Sequence, residues 1–430
     1  MDRTRLSGMA AGASVLSAFT ALCLPVGRAA AHEPPFGTGV YARGAQRVVR
    51  MSRGLVLQSA DRDDYRLLCN EALGVAPYDT PSVLMRADGS LLVGTSTGLK
   101  HVSMDGCAID RMPQLEDTQV YVLARDRGDP TRLFAATGAG FYESRDDGEH
   151  FAKRDEHVFD SLEVARDPEG TVFATGKLTS GRGPVRAYVA RWRDADPLEL
   201  SELPLAPNEY GVSLLGSDAE HIVAVAHAYL GTPDDDRFLV SSDRARSWHN
   251  PLSARHIAAF AIDAQSGAWL LGDGEGLWRT SSAGDSLAQL ASAPVSCLTF
   301  ATSELFMCDG EGPEGGVSSS ADGGEHWRSV LRWNQVKGVP ACSPGAPSVK
   351  LCQAAWEDWA RELPPRHERP DAGLAEHTAE SRSGDAAHCA AVRGRPPGRP
   401  GRKASRWVWL APLWFLARSL QRLHRKESPS

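Results

Sequence analysis

Ser144-Arg145-Asp146-Asp147-Gly148-Glu149-His150-Phe151 and Ser320-Ala321-Asp322-Gly323-Gly324-Glu325-His326-Trp327 share one pattern, Ser-x-Asp-x-Gly-x-x-aromatic. Ser241-Ser242-Asp243-Arg244-Ala245-Arg246-Ser247-Trp248 is a third copy with Ala at the Gly position. Each residue type has a local reason to be there. An Asp carboxylate accepts from a backbone N–H two residues on, Gly takes positive φ without a steric cost, and the Ser hydroxyl ties down the entering strand. The aromatic opens the next strand, where burial between neighbouring sheets suits it.

Eroded copies extend the series. Ser103-Met104-Asp105-Gly106 runs into Cys107, Ser59-Ala60-Asp61 leads to Tyr65, and Gly284-Asp285-Ser286-Leu287 keeps the second half. The gap between Asp146 and Asp243 is double the others, so a unit without the motif belongs around residues 162–203. Turns near 61, 105, 146, 194, 243, 284 and 322 give seven units spaced by about forty residues, the length of a four-stranded blade. Six or eight units remain open alternatives.

Short alternating runs between the turns read as strands. Ser82 to Arg86, Leu91 to Gly94 and Gly98 to Val102 precede one turn, and the order returns at Val120 to Glu143 and at Ile257 to Arg279. The fold class expected is therefore all-β, a seven-bladed β-propeller of four-stranded blades with a short C-terminal helix. The repeated turn resembles the Asp-box, or BNR repeat, of sialidases, sortilin-type receptors and the photosystem II assembly factor family. That resemblance implies a propeller; it covers the turns and no catalytic motif.

The ends differ from the middle. Arg3 and Arg5, an apolar stretch from Met9 to Leu24 and the small run Ala29-Ala30-Ala31 read as a signal peptide cleaved after Ala31. Leu22 is too bulky before Cys23 for a lipoprotein signal. The expected division is signal peptide 1–31, propeller 32–340, disulfide-stapled helical cap 341–363, tether 364–406 and sorting tail 407–430. In the cap, Trp356, Trp359, Ala360 and Leu363 recur at helical spacing before Pro364-Pro365. The tail has eleven apolar residues, Trp407 to Ala417, and then a basic cluster, which is short for a bilayer span of roughly twenty. Cys389, a linker, an apolar segment and a basic end resemble the MYXO-CTERM class of sorting signals, which implies processing at Cys389 and attachment to the cell surface.

Removal of a signal peptide leaves seven cysteines. Cys297 and Cys308 flank a hairpin and are expected to bond across it. Cys342 and Cys352 bracket a Ser/Pro/Gly loop and are expected to pair, leaving Cys69 with Cys107 and Cys389 single; free buried thiols are the alternative reading.

The net charge of −7 hides an asymmetry, because residues 32–389 alone carry −18. Such a body is a poor nucleic-acid binder, and the basic tail reads as a targeting device. No nucleophile-elbow, zinc or P-loop motif occurs. Asp61-Arg62-Asp63-Asp64 and Asp234-Asp235-Asp236 lack the spacing of a calcium loop and read as solvated turns. A sialidase needs an Arg cluster and an activated Tyr, and its resemblance leaves Arg111-Met112-Pro113, on an expected outer strand, as the nearest match to the first Arg. His256 and Glu163 are expected near the innermost strands, and the longest ligand-facing loops at 177–185, 227–237 and 309–316. No catalytic residue, cofactor or metal is expected. The expectation is an exported, monomeric binding or scaffolding module for a glycan or an envelope protein, with membrane attachment through the tail. A sialidase-like glycoside hydrolase and an envelope assembly factor are the alternatives.

Overall fold

Two-residue alternation gives each strand two apolar edges, and the fold uses both. Val48, Leu55 and Leu57 face one neighbour of their sheet, while Val49, Met51 and Val56 face the other. A sheet apolar on both faces must be sandwiched on both sides. In the computed structural model the described residues are 35–61, 63–75, 80–165, 170–178, 186–193, 196–203, 205–229, 236–251, 253–254, 257–263, 266–280, 287–301, 303–309 and 315–363. The expected signal peptide with Ala31, the expected tether and tail with Cys389, and His256, Asp234, Asp235 and the expected turn at Gly284-Asp285 lie outside them.

The strands form seven antiparallel sheets, each of four consecutive strands in sequence order. The blades run Gly37–Cys69, Ser82–Glu116, Val120–Asp155, Ser161–Leu203, Glu209–Ala254, Ala259–Ala291 and Val295–Arg332. The first strand of each blade touches that of the next, and the first strand of the seventh touches that of the first. The protein is therefore a seven-bladed β-propeller. Its core is seven apolar layers, one between each pair of neighbouring blades, with Phe134, Phe141, Phe238 and Trp269 fully buried. The third and fourth strands of the blades bracket the seven positions read from the sequence, with residues 62, 194–195 and 281–286 of those connections outside the described set.

Among the described residues no strand is shared across the seam where the seventh blade meets the first; the chain beyond the last strand covers it. Trp333–Gln335 forms a 3₁₀ turn, after which Lys337 N donates to Tyr65 O at 2.9 Å and Leu67 N to Gly338 O at 2.8 Å. The chain thus lies parallel to the outer edge of the first blade. The helix Pro347–Glu362 follows, with Pro at its first turn, where a missing N–H costs nothing. It buries Ser348, Cys352 and Trp359. Trp333 and Trp359 are fully buried in the seam layer, and Arg53 pairs with Glu362 at 2.7 Å.

The disulfides correct one expectation. Cys297–Cys308 forms as expected, across paired strands of the seventh blade. Cys342 and Cys352 do not bond to each other, nor does Cys69 bond to Cys107. Instead Cys69 bonds Cys352 and Cys107 bonds Cys342. The reason is where the intervening chain goes. Pro340 packs beside Gly106, which brings Cys342 to the turn of the second blade. The helix then carries Cys352, wholly buried, to the end of the outer strand Arg66–Cys69.

Candidate functional site

An up-and-down blade has two ends. One carries the first–second and third–fourth hairpins, and the other carries the second–third connections and the links between blades. The motif turns lie at the hairpin end, and their chemistry is internal. Ser144 Oγ donates to Asp146 Oδ1 at 2.7 Å and accepts from Gly148 N at 2.9 Å, while Asp146 Oδ1 accepts from His150 N at 2.9 Å. The fifth and seventh blades repeat this: Ser241 Oγ accepts from Ala245 N at 2.8 Å, and Ser320 Oγ from Gly324 N at 2.8 Å. Ser247 N and His326 N donate to Asp243 and Asp322. Phe151, Trp248 and Trp327 each pack in the layer shared with the preceding blade. These residues build the turn and leave little for a ligand.

Asp147 adds a cross-blade role that the motif does not specify. It sits at φ 56° and accepts from Ala87 N at 2.7 Å and from Arg125 Nη1 at 2.8 Å. Its carbonyl accepts from Arg86 Nε at 2.8 Å, so the second and third blades are locked at this end. Further in, innermost strands are stitched by serines. Ser82 accepts from Leu123 N at 2.9 Å, Ser161 from Leu214 N at 3.0 Å, and Ser296 donates to Gly37 O at 2.8 Å.

The other end holds a different kind of surface, on the fourth and fifth blades. Tyr210 follows the link between these blades, His227 lies next to the end of the second strand of the fifth blade, Ile222–Ala228, and Tyr229 lies just past it. Tyr210 stacks on His227 with ring centroids 5.7 Å apart and meets Tyr229 at 5.7 Å. Lys177, from the fourth blade, sits 5.2 Å over the Tyr210 ring and 3.9 Å from Asp160. Tyr229 is 45% exposed, unusual for a large ring in a chain with this much interior. Beneath, Glu209 grips Arg237 through two bonds of 2.7 and 2.8 Å, which fixes the strand that carries Tyr210. Two of the loops expected to face a ligand, at 177–185 and 227–237, begin at Lys177 and His227; most of their residues lie outside the described set.

Within this surface Ser213 Oγ lies 2.9 Å from His227 Nε2, and His227 Nδ1 lies 3.6 Å from Asp236 Oδ2. A Ser–His–Asp order is thus present, on three neighbouring strands. Acyl transfer also needs N–H donors at the forming oxyanion. The N–H that follows Ser213, on Leu214, is already committed to Ser161. Asp236 is engaged too, accepting from Ala228 N at 3.0 Å. Among the described residues the Leu214 N–H is therefore not free to serve as an oxyanion donor to Ser213.

The residues considered for sialidase chemistry do not converge. Arg111 is on the outermost strand of the second blade, paired with Glu116 at 3.2 Å. Glu163 is on the innermost strand of the fourth, bonded by Ser217 at 2.7 Å and Arg127 at 3.2 Å. Tyrosines near the platform are poorly placed as nucleophiles. Burial, then the charges of Asp160 and Asp155, push the Tyr188 phenol up to about 12, and its hydroxyl donates to Val158 O at 2.7 Å. Burial and Asp236 likewise raise Tyr210. Among the described residues no three His, Cys, Asp or Glu side chains gather at one metal-sized point. Asp64 of the acidic run bonds Arg66 Nε at 2.9 Å.

No protein-family model and no curated protein matches this chain. Solved structures do. The chain is similar to a puromycin-hydrolyzing peptidase of Mycobacterium tuberculosis, with 12% identity over 69% of this chain and 53% of that one, at a TM-score of 0.50. It is similar to PorZ, a surface component of the type-IX secretion system of Porphyromonas gingivalis, with 13% identity over 69% of this chain and 38% of that one, at 0.45. The β-propeller domain of the Trilobed protease from Pyrococcus furiosus aligns over 70% of this chain and 99% of that one, with 9% identity and a TM-score of 0.47. The chain spans about half the length of the peptidase. At such identity the likeness concerns the fold, which is that of a β-propeller.

Proposed function

We propose that this protein is an exported propeller of the Asp-box type that binds a glycan at the Tyr210–Tyr229 platform. The observation that carries the reading is the exposed Tyr229 ring beside Tyr210, with His227, Lys177 and Asp160 at the rim. Aromatic faces stack on the apolar faces of sugars, and rim groups bond their hydroxyls. Three disulfides support passage through an oxidising compartment. Cleavage after Ala31 and processing at Cys389 complete the reading, with the tail delivering the protein to the cell surface.

The test is a glycan array with the oxidised full chain, read together for bound protein and released sugar. The expected result is binding that falls at least about tenfold in Tyr210→Ala and Tyr229→Ala. Unchanged binding in both variants would remove the platform from the site. Released sugar would reverse the reading in favour of a glycoside hydrolase and turn the search to channel-facing Arg, Tyr and carboxylate side chains.

A further inference from the structure

A cleft of about 350 Å³ opens at the hairpin end, opposite the tyrosine platform, between the outer turns of the fourth and fifth blades. Arg191, Arg193, Arg244 and Arg246 line it together with Asp196 and Glu199. Four guanidinium groups at one cleft are unexpected on a body of −18. Their positions are built in. Arg191, 15% exposed at its side chain, donates to Arg244 O at 3.1 Å and pairs with Glu199. Arg193 Nε donates to Thr171 Oγ1 at 2.9 Å.

The crowding carries a cost. Burial first, then the charges of Arg246 and Arg193, lower the pKa of Arg191, with Asp243 acting the other way. The turn that presents Arg244 and Arg246 is also strained. Arg244 and Ala245 both hold left-handed φ, 61° and 62°, where the seventh blade has Gly323 and Gly324. A side chain in that region is disfavoured by the close approach of its Cβ to the following carbonyl oxygen. An incoming anion relieves the first of these costs, because it neutralises like charges held together by the fold.

We propose that this cleft binds a small ligand bearing an oxyanion, a carboxylate, sulfate or phosphate, of about the size of one acidic sugar. The volume lies near the lower end of the range for small-molecule sites, roughly 300–1,000 Å³. A guanidinium fork matches two oxygens of such a group, and Arg246, exposed at the rim, is placed to offer one. Arg193 and Arg244 add positive charge beside it, while Arg191 is paired with Glu199. The site is independent of the glycan platform, being at the other end of the blades.

Isothermal titration of the oxidised full chain with sodium phosphate, sodium sulfate and sodium glucuronate, at constant ionic strength set by sodium chloride, tests it. Saturable binding of at least one is expected, and which one distinguishes ester from carboxylate. Arg246→Glu is expected to weaken that binding about tenfold or more. Arg246→Lys keeps the charge but not the fork and is expected to fall between. Arg111→Glu, on an exposed outer strand, is the control and leaves binding unchanged. Thermal unfolding of Arg246→Glu checks that the fold persists. Absence of saturable binding for all three anions overturns the proposal, as does equal affinity in Arg246→Glu.

Discussion

Ala245 stands where the related turns carry Gly148 and Gly324, and it keeps their left-handed backbone at φ 62°. The turn closes all the same, with Ala245 N on the Ser241 hydroxyl. The methyl group is therefore accommodated at a backbone cost and not through a changed turn. Ala245→Gly is expected to raise the unfolding free energy by about 1 kcal/mol, with part of the gain offset by the freer unfolded chain. Denaturant titration checks this; a loss of stability would show that the methyl packing outweighs the strain. The reverse change at Gly148 meets a second obstacle, because a Cβ there would lie 2.4 Å from Leu92 Cδ1.

At the scale of the element, the motif turns couple the fold to acid. In Asp146 burial works against ionisation, but the His150 N–H, the Ser144 hydroxyl and the His150 ring prevail and hold the carboxyl at about 2. Asp243 reaches about 2 chiefly through the Ser247 hydroxyl and N–H. Asp322 is lowered as well, with burial again opposing the His326 N–H and the Ser320 hydroxyl. A carboxylate whose folded pKa lies below its unfolded value of about 4 stabilises the fold above pH 4. That contribution is lost as pH falls from about 4 through about 2. Unfolding free energy measured across this window is expected to fall with a shallower slope in Asp146→Asn than in the native chain. Equal slopes would mean that the turn does not report on the acid transition. Exposure of these side chains to solvent keeps each contribution small.

These turns were also the legible part of the sequence. Asx and Gly chemistry is decided within a few residues, so the pattern located six of seven turns directly and spacing supplied the seventh, at 192–199. The helix was legible for the same reason, through Trp356 and Trp359 at helical spacing. What stayed hidden depends on the ring. Tyr210, His227, Tyr229 and Lys177 meet because two blades lie side by side, and no local pattern marks them. The aromatic and His residues flanking the two longest loops were the available signal. The four-arginine cleft is hidden likewise, since Arg191 and Arg246 come from different blades.

For the whole molecule, closure rests on covalent links between distant parts of the chain. Cys69–Cys352 and Cys107–Cys342 span 283 and 235 residues, whereas Cys297–Cys308 spans 11. With Cys69–Cys352 kept, Cys107–Cys342 closes a further ring of about 48 residues, which in the chain-entropy account restricts the unfolded state by about 4 kcal/mol, against about 3 kcal/mol for the 11-residue link. Replacing Cys107 and Cys342 together by Ser is therefore expected to destabilise the protein more than replacing Cys297 and Cys308. Comparison of denaturant midpoints under oxidising conditions decides it. Equal losses would show that the seam is held by Trp333, Trp359 and the strap pairing alone.

The two long links also set a problem of order. A chain made from its N-terminus offers Cys69 and Cys107 first, and their partners 342 and 352 arrive last. Until then the nearest oxidised state available to the early thiols is a bond to each other, the pairing that local reasoning favours and the finished fold rejects. Reaching the native set from there takes thiol–disulfide exchange, on a timescale of seconds to hours unless catalysed. Wherever that early bond forms, isomerisation as well as oxidation sets the yield of native protein, and a host that only oxidises is expected to accumulate rings that never shut.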